Sequence, residues 1–160
     1  MKILSRTLLA VYLSILVWLV LFKFSYDPLA VIRDHQTHGV NLVPFTFART
    51  SEMIANVLVF VPLGVLLALN FKRLALIRAI ALVLALSLAL EIIQFTLSIG
   101  VADITDVITN TLGGAIGLAC YAALRRCISE RHLDKGVLAA MALIIAGVLI
   151  LRTSVFIVKY

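Results

Sequence analysis

Apolar residues fall into blocks of some twenty positions along this 160-residue chain, and the charged residues collect between the blocks. The blocks run at about Thr7 to Phe24, Ile54 to Phe71, Leu74 to Ser98, Asp103 to Leu124 and Val137 to Val158. Each is close to the roughly 20 residues that a helix needs to cross a hydrocarbon core about 30 Å thick. The pattern predicts an all-α integral membrane bundle of about five transmembrane helices, a single membrane domain over residues 1–160. Composition agrees, with 63% apolar and 14% charged residues and a mean hydropathy of +1.15, against the quarter or so of charged residues usual in soluble domains.

A net charge of +6 and a pI near 9.8 would ordinarily raise nucleic acid as a partner. The basic residues sit at block ends, however, and form no stripe interleaved with aromatics, so nucleic acid is excluded and the lipid bilayer is the expected partner. Lys2 and Arg6 precede the first block, Lys72, Arg73 and Arg78 separate the second from the third, and Arg125, Arg126, Arg131 and Lys135 separate the fourth from the fifth. By the positive-inside rule these nine of the fourteen basic residues face the cytoplasm, giving a cytoplasmic N-terminus in a multi-pass inner (plasma) membrane protein. The first block is longer than a signal-peptide core and Phe24-Ser25-Tyr26-Asp27 offers no small-x-small cleavage site, so it reads as an uncleaved anchor.

Between the first two blocks, Ser25 to Met53 carries Pro28, Gly39 and Pro44 but keeps Leu42, Val43, Phe45 and Phe47. It is expected to be an outer loop folded back on the membrane surface, with re-entry as one form this could take. His35 and His38 lack a third ligand at metal spacing and read as solvated loop histidines, so no metal and no cofactor are expected. Cys120 and Cys127, on the reducing side, read as buried filler. Pro62 removes a backbone bond inside the second block and is expected to kink it.

The stretch EIIQFTLSIGVADITDVITNTLGG, Glu91 to Gly114, breaks the apolar pattern. At about 100° per residue, Ser87, Glu91, Gln94 and Ser98 share one face of the third helix, while Asp103, Asp106 and Asn110 share one face of the fourth. Folded across a short turn at Ile99 to Ala102, the faces would meet in layers, Glu91 with Asn110, Gln94 with Asp106, and Ser98 with Asp103. Gly113 and Gly117 would let this hairpin close on its cytoplasmic half. An Asp at mid-span costs about 2.5–3.5 kcal/mol, so such residues face the bundle interior or water. Apart from Arg78 at the far end of the third block, neither span holds a Lys or Arg to neutralise the three acids, and Arg33 and Arg49 are the nearest candidates. Three readings stay open: hydrogen-bonding glue between helices, a pocket for an amphiphilic ligand, or a carboxylate site acting on a lipid, for which no catalytic residue can be named.

The segments NLVPF (Asn41 to Phe45), NVLVFVPLG (Asn56 to Gly64), ALEIIQ (Ala89 to Gln94) and DITDVITNTLGGAIG (Asp103 to Gly117) resemble, in order and spacing, the VanZ-like membrane proteins. The resemblance spans a core at residues 40–118, leaving 125–160 as a basic loop with the last helix. It carries over Asn41, Pro44, Phe45, Asn56, Phe60, Pro62, Gly64, Glu91, Gln94, Asp103, Asp106, Asn110, Thr111, Gly113 and Gly114. Many members have a Gly-Arg pair shortly before the first Asp. This chain has Gly100-Val101-Ala102 there, so an acid–arginine bridge at that point is not available to it. The family takes its name from a protein conferring low-level resistance to the glycopeptide teicoplanin. The resemblance therefore implies a cell-envelope protein of the bacterial inner membrane. Its candidate polar cluster of Glu91, Gln94, Asp103, Asp106, Asn110, Asn41 and Asn56 would meet a glycopeptide, a lipid-linked precursor or a lipid head group.

Overall fold

The computed structural model describes residues 1–22, 39–46 and 49–159. Five helices alternate in direction: α1 (Lys2–Leu21), α2 (Thr50–Asn70), α3 (Leu76–Thr96), α4 (Ile104–Cys127) and α5 (Glu130–Lys159). All five are long and apolar enough to cross a membrane. Large apolar side chains such as Ile3, Leu58, Ile77, Ile92, Leu112 and Leu143 point outward, as they should where the surrounding solvent is lipid. The helices outrun the apolar blocks at several ends. In α5 the charged segment from Glu130 to Lys135 is already helical, and at about 1.5 Å per residue the helix is some 45 Å long, more than the hydrocarbon core requires. Only Ile128 and Ser129 separate α4 from α5, so Arg131 and Lys135 stand on a helix and not in a loop.

Lipid tails are as apolar as leucine, so helices in a membrane associate through close packing and polar contacts. The most intimate pair is α2 with α4, which run parallel. A Cβ on Gly117 would sit 2.0 Å from the Val61 carbonyl oxygen, one on Gly113 2.3 Å from that of Val57, and one on Gly64 2.1 Å from that of Gly114. The two backbones touch at all three points. Gly113 and Gly117 thus bring α4 against α2, and not against α3 as a simple hairpin would have it; the glycine that meets α3 is Gly114, beneath Val83. Pro62 lies inside α2, which continues as a helix from Thr50 to Asn70. Phe60, Leu63 and Leu66 from α2, Leu16 from α1 and Val83 and Leu90 from α3 fill the interior. Tyr12 of α1 donates a 2.7 Å hydrogen bond to the Val59 carbonyl.

Cys120 and Cys127 are exposed and do not fill the core. The buried face of α4 runs through Gly113, Gly114, Gly117, Leu118 and Tyr121, which leaves both cysteines on the outward side.

The two ends of the bundle differ. At one end lie the start of α1, the α2–α3 connection and the α4–α5 link. There Lys72 is paired with both Glu130 and Asp134, and Tyr121 donates to Asp134 at 2.7 Å. Burial works against the charge on Lys72. The hydrogen bonds it donates to Asp134 and Glu130 outweigh this and hold the ammonium above the usual lysine range.

At the opposite end the chain forms two short strands, β1 (Gly39–Asn41) and β2 (Val101–Asp103), paired in parallel with Asn41 opposite Asp103. The predicted tight turn is replaced by a more elaborate connection. Ser98, in the left-handed conformation at φ 58°, ends α3. The Ile99 amide bonds back to the Gln94 carbonyl at 3.1 Å and the Ser98 amide to that of Phe95 at 3.2 Å, which together form a Schellman cap. Strand β2 then leads into α4. The loop histidines His35 and His38 and the cation Arg33 lie outside the described residues.

Candidate functional site

Asp103 is the last residue of β2 and the N-cap of α4. Its Oδ1 accepts from the Thr105 amide at 2.8 Å, satisfying one of the orphan donors of the first helical turn. Its Oδ2 accepts from Asn41 Nδ2 at 3.0 Å, so one carboxylate starts the helix and fastens β1 to β2. Asn41 Oδ1 in turn accepts from the Val43 amide at 3.1 Å. Pro44 and a left-handed Phe45 (φ 63°) follow, the pattern of a type II turn with phenylalanine where glycine is usual. The Phe45 amide is held by Thr105 Oγ1 at 3.0 Å. The NLVPF segment is therefore a turn pinned at both ends to the first turn of α4, with the Phe45 ring exposed.

Glu91, buried on α3, accepts from the Asp103 amide at 2.9 Å. One turn of the helix past Asp103, the half-buried Asp106 accepts from Asn56 Nδ2 of α2 at 2.8 Å. Thr109 lies beneath it and donates to the Thr105 carbonyl at 2.9 Å. Deeper, Asn110 Nδ2 donates to Ser87 Oγ of α3 at 2.9 Å, with both residues wholly buried. Gln94 faces another way. Its Nε2 reaches the Val20 carbonyl at 2.9 Å and that of Leu21 at 3.4 Å, capping the C-terminal turn of α1.

Of the seven sequence-derived residues, then, Asn41, Asp103 and Glu91 form one chain of contacts, and Asn56 and Asp106 a second one joined to it through the first turn of α4. Asn110 lies below them with Ser87, and Gln94 serves α1. The layers expected from an antiparallel hairpin are displaced. Asn110 meets Ser87 instead of Glu91, and Glu91 meets Asp103, because β2 brings the chain back beside α3 before α4 begins. Sequence reasoning placed Ser87 on the polar face without a partner and missed Thr105 and Thr109. Thr105 and Thr109, one turn apart beside the Asp106–Asn110 stripe, were the available signal.

Among the described residues the ion pairs lie at the Lys72 end, and Arg49 is exposed at the start of α2. No group of three His, Cys, Asp or Glu side chains among the described residues could hold a metal ion. Asn41, Asn56 and the backbone N–H groups of Asp103 and Thr105, all neutral amides, donate to these carboxylates. The buried Gln94 Oε1 and Asn110 Oδ1 accept no hydrogen bond. Such a set can bind polar groups by donating and accepting hydrogen bonds, and the Asp103 and Asp106 side chains in it are only half-buried.

The fold and this cluster define a multi-pass membrane protein with a carboxylate–carboxamide network gathered at one end of a helical bundle. Comparison with known proteins narrows the class. The family described as VanZ/LLP1 matches residues 9–125. Protein VanZ of Enterococcus faecium is 48% identical over 153 residues, 95% of this chain and 94% of that protein. The chain belongs to the VanZ/LLP1 family. No solved structure matches it.

Proposed function

We propose that this protein recognises or modulates an amphiphilic cell-envelope molecule through the polar cluster at the Asp103 end. The candidates are a glycopeptide antibiotic, a lipid-linked precursor or a lipid head group. In this reading the N-terminus is cytoplasmic, the Asp103 end opens on the outer face of the bacterial inner membrane, and the protein contributes to teicoplanin-type resistance. The observation that carries the reading is the near full-length identity of 48% with Protein VanZ. It is supported by the half-buried position of Asp106, which accepts from Asn56 and stands in the first turn of α4 within reach of solvent.

Asp106 is also the cleanest place to test it. Asp106→Asn keeps the side chain's size and an oxygen to accept from Asn56 while removing the carboxylate. Expressed in a teicoplanin-sensitive host, the wild-type chain is expected to raise the minimal inhibitory concentration, and Asp106→Asn to return it to the empty-vector value at an unchanged amount of inserted protein. If Asp106→Asn keeps the phenotype, or loses it only in proportion to folded protein, the cluster is interhelical glue and the binding reading fails.

A further inference from the structure

Five helix ends meet at the Lys72 end: the start of α1, the end of α2, the start of α3, the end of α4 and the start of α5. Between α1, the α2–α3 connection and α5 they leave a cavity of about 880 Å³. Lys2 and Arg6, one turn apart on α1, and Arg73 on the connection form a basic part of its lining, Leu69, Leu74 and Leu138 an apolar part, and Ser5, Asn70 and Asp134 are polar, with the Asp134 carboxylate held by Lys72 and Tyr121. Lys72 also borders the cavity, but Glu130 and Asp134 neutralise it. Among the described residues Lys2, Arg6 and Arg73 have no ion pair.

Like charges one turn apart on a helix repel, and here a third cation from another segment is brought to the same space. An anion in the cavity would relieve that repulsion. A soluble anion has no use for an apolar wall. A phospholipid uses both, because helix ends lie where the phosphate layer meets the hydrocarbon, and basic pockets between helices suit anionic head groups. We propose that this cavity binds the phosphate of an anionic phospholipid on Lys2, Arg6 and Arg73, with the upper acyl chain on Leu69, Leu74 and Leu138. The ion pairs of Lys72 with Glu130 and Asp134 fix the rim by tying the connection to α5. This site is separate from the Asp103 cluster and does not rest on the function proposed for it.

The test uses the full chain, purified and delipidated in neutral detergent. Dioleoyl phosphatidylglycerol, dioleoyl phosphatidylcholine and inorganic phosphate are titrated separately, with bound lipid read by native mass spectrometry and occupancy by thermal shift. Saturable binding of phosphatidylglycerol is expected, at least about tenfold tighter than phosphatidylcholine, with about a fivefold loss for each cation removed and on the order of 100-fold for Lys2→Gln, Arg6→Gln and Arg73→Gln together. A matched triple, Arg78→Gln, Arg131→Gln and Lys135→Gln, removes three charges from the same end but outside the cavity, and should leave the affinity within about twofold. Equal losses in both triples would mean diffuse attraction to charge, and equal affinity for the two lipids an apolar groove alone. Inorganic phosphate binding as tightly as the lipid would make it a soluble-phosphate site. Each of these overturns the proposal. If the cavity triple fails to fold, Arg73→Gln alone decides the matter, with about a fivefold loss expected and no loss overturning it.

Discussion

Asp103 carries two structural duties on one carboxylate, and its substitutions separate them. Asp103→Ala removes the α4 cap, worth about 1 kcal/mol, and leaves the half-buried Asn41 amide without its acceptor, worth about 1–3 kcal/mol. A total loss of about 2–4 kcal/mol is expected. Asp103→Asn can still cap through its oxygen, as Oδ1 does now for Thr105. Its NH₂ would then face the NH₂ of Asn41, whose oxygen already accepts from Val43. We expect Asn at this position to recover only the cap, about 1 kcal/mol, in denaturation followed by circular dichroism in detergent. Full recovery would show that the Asn41 contact contributes nothing. For this reason Asp103→Asn, though nearly isosteric, cannot report on ligand binding, and Asp106→Asn can.

At the scale of elements, the α2–α4 contact is the part of the fold least tolerant of added volume. Gly117→Ala would place a methyl 2.0 Å from a backbone oxygen of Val61, where no side chain can rotate aside, so the two helices must separate. Overpacking of this kind costs about 1–3 kcal/mol, and the melting temperature should fall accordingly. Gly147→Ala on α5, with nothing within 4 Å of the new Cβ, is expected to be neutral or to stabilise by up to about 1 kcal/mol. If the two variants melt alike, close approach at Gly117 is not limiting. The same contact shows what the sequence reading reached. Apolar blocks of membrane-spanning length set the number and type of helices, and the spacing of Gly113 and Gly117 announced a close approach. Which helix approached could not be read, because the spacing marks a face of α4 and carries no information about the face it meets. Strands β1 and β2 were likewise invisible. Three residues are too few to display a period, and their pairing joins positions 62 residues apart. That pairing set the true register of the polar cluster. Glu91, Asp103, Asp106, Asn41 and Asn56 could thus be found from the sequence, while the way they pair could not.

At the scale of the whole molecule, charge distribution predicts orientation, and the fold turns that prediction into a sharp experiment. Lys2, Arg6, Lys72, Arg73, Arg125 and Arg126 gather at one end of the bundle, and the β1–β2 pair lies at the other. By the positive-inside rule the basic end is expected to face the cytoplasm. The exposed cysteines provide the probes. Cys127 is the last residue of α4, at the basic end, and reports on that side once Cys120→Ala has removed the other thiol. At the opposite end Leu42, 73% exposed beside Asn41, can be replaced by cysteine in a Cys120→Ala, Cys127→Ala background. In intact cells a membrane-impermeant maleimide is expected to label Leu42→Cys at once and Cys127 only after permeabilisation. The reverse pattern would place Asp106 and Asn56 against the cytoplasm, where an extracellular glycopeptide never arrives. The lipid proposal at Lys2, Arg6 and Arg73 would survive that outcome, since both leaflets can supply an anionic phosphate. The function proposed for the Asp103 end would not survive it.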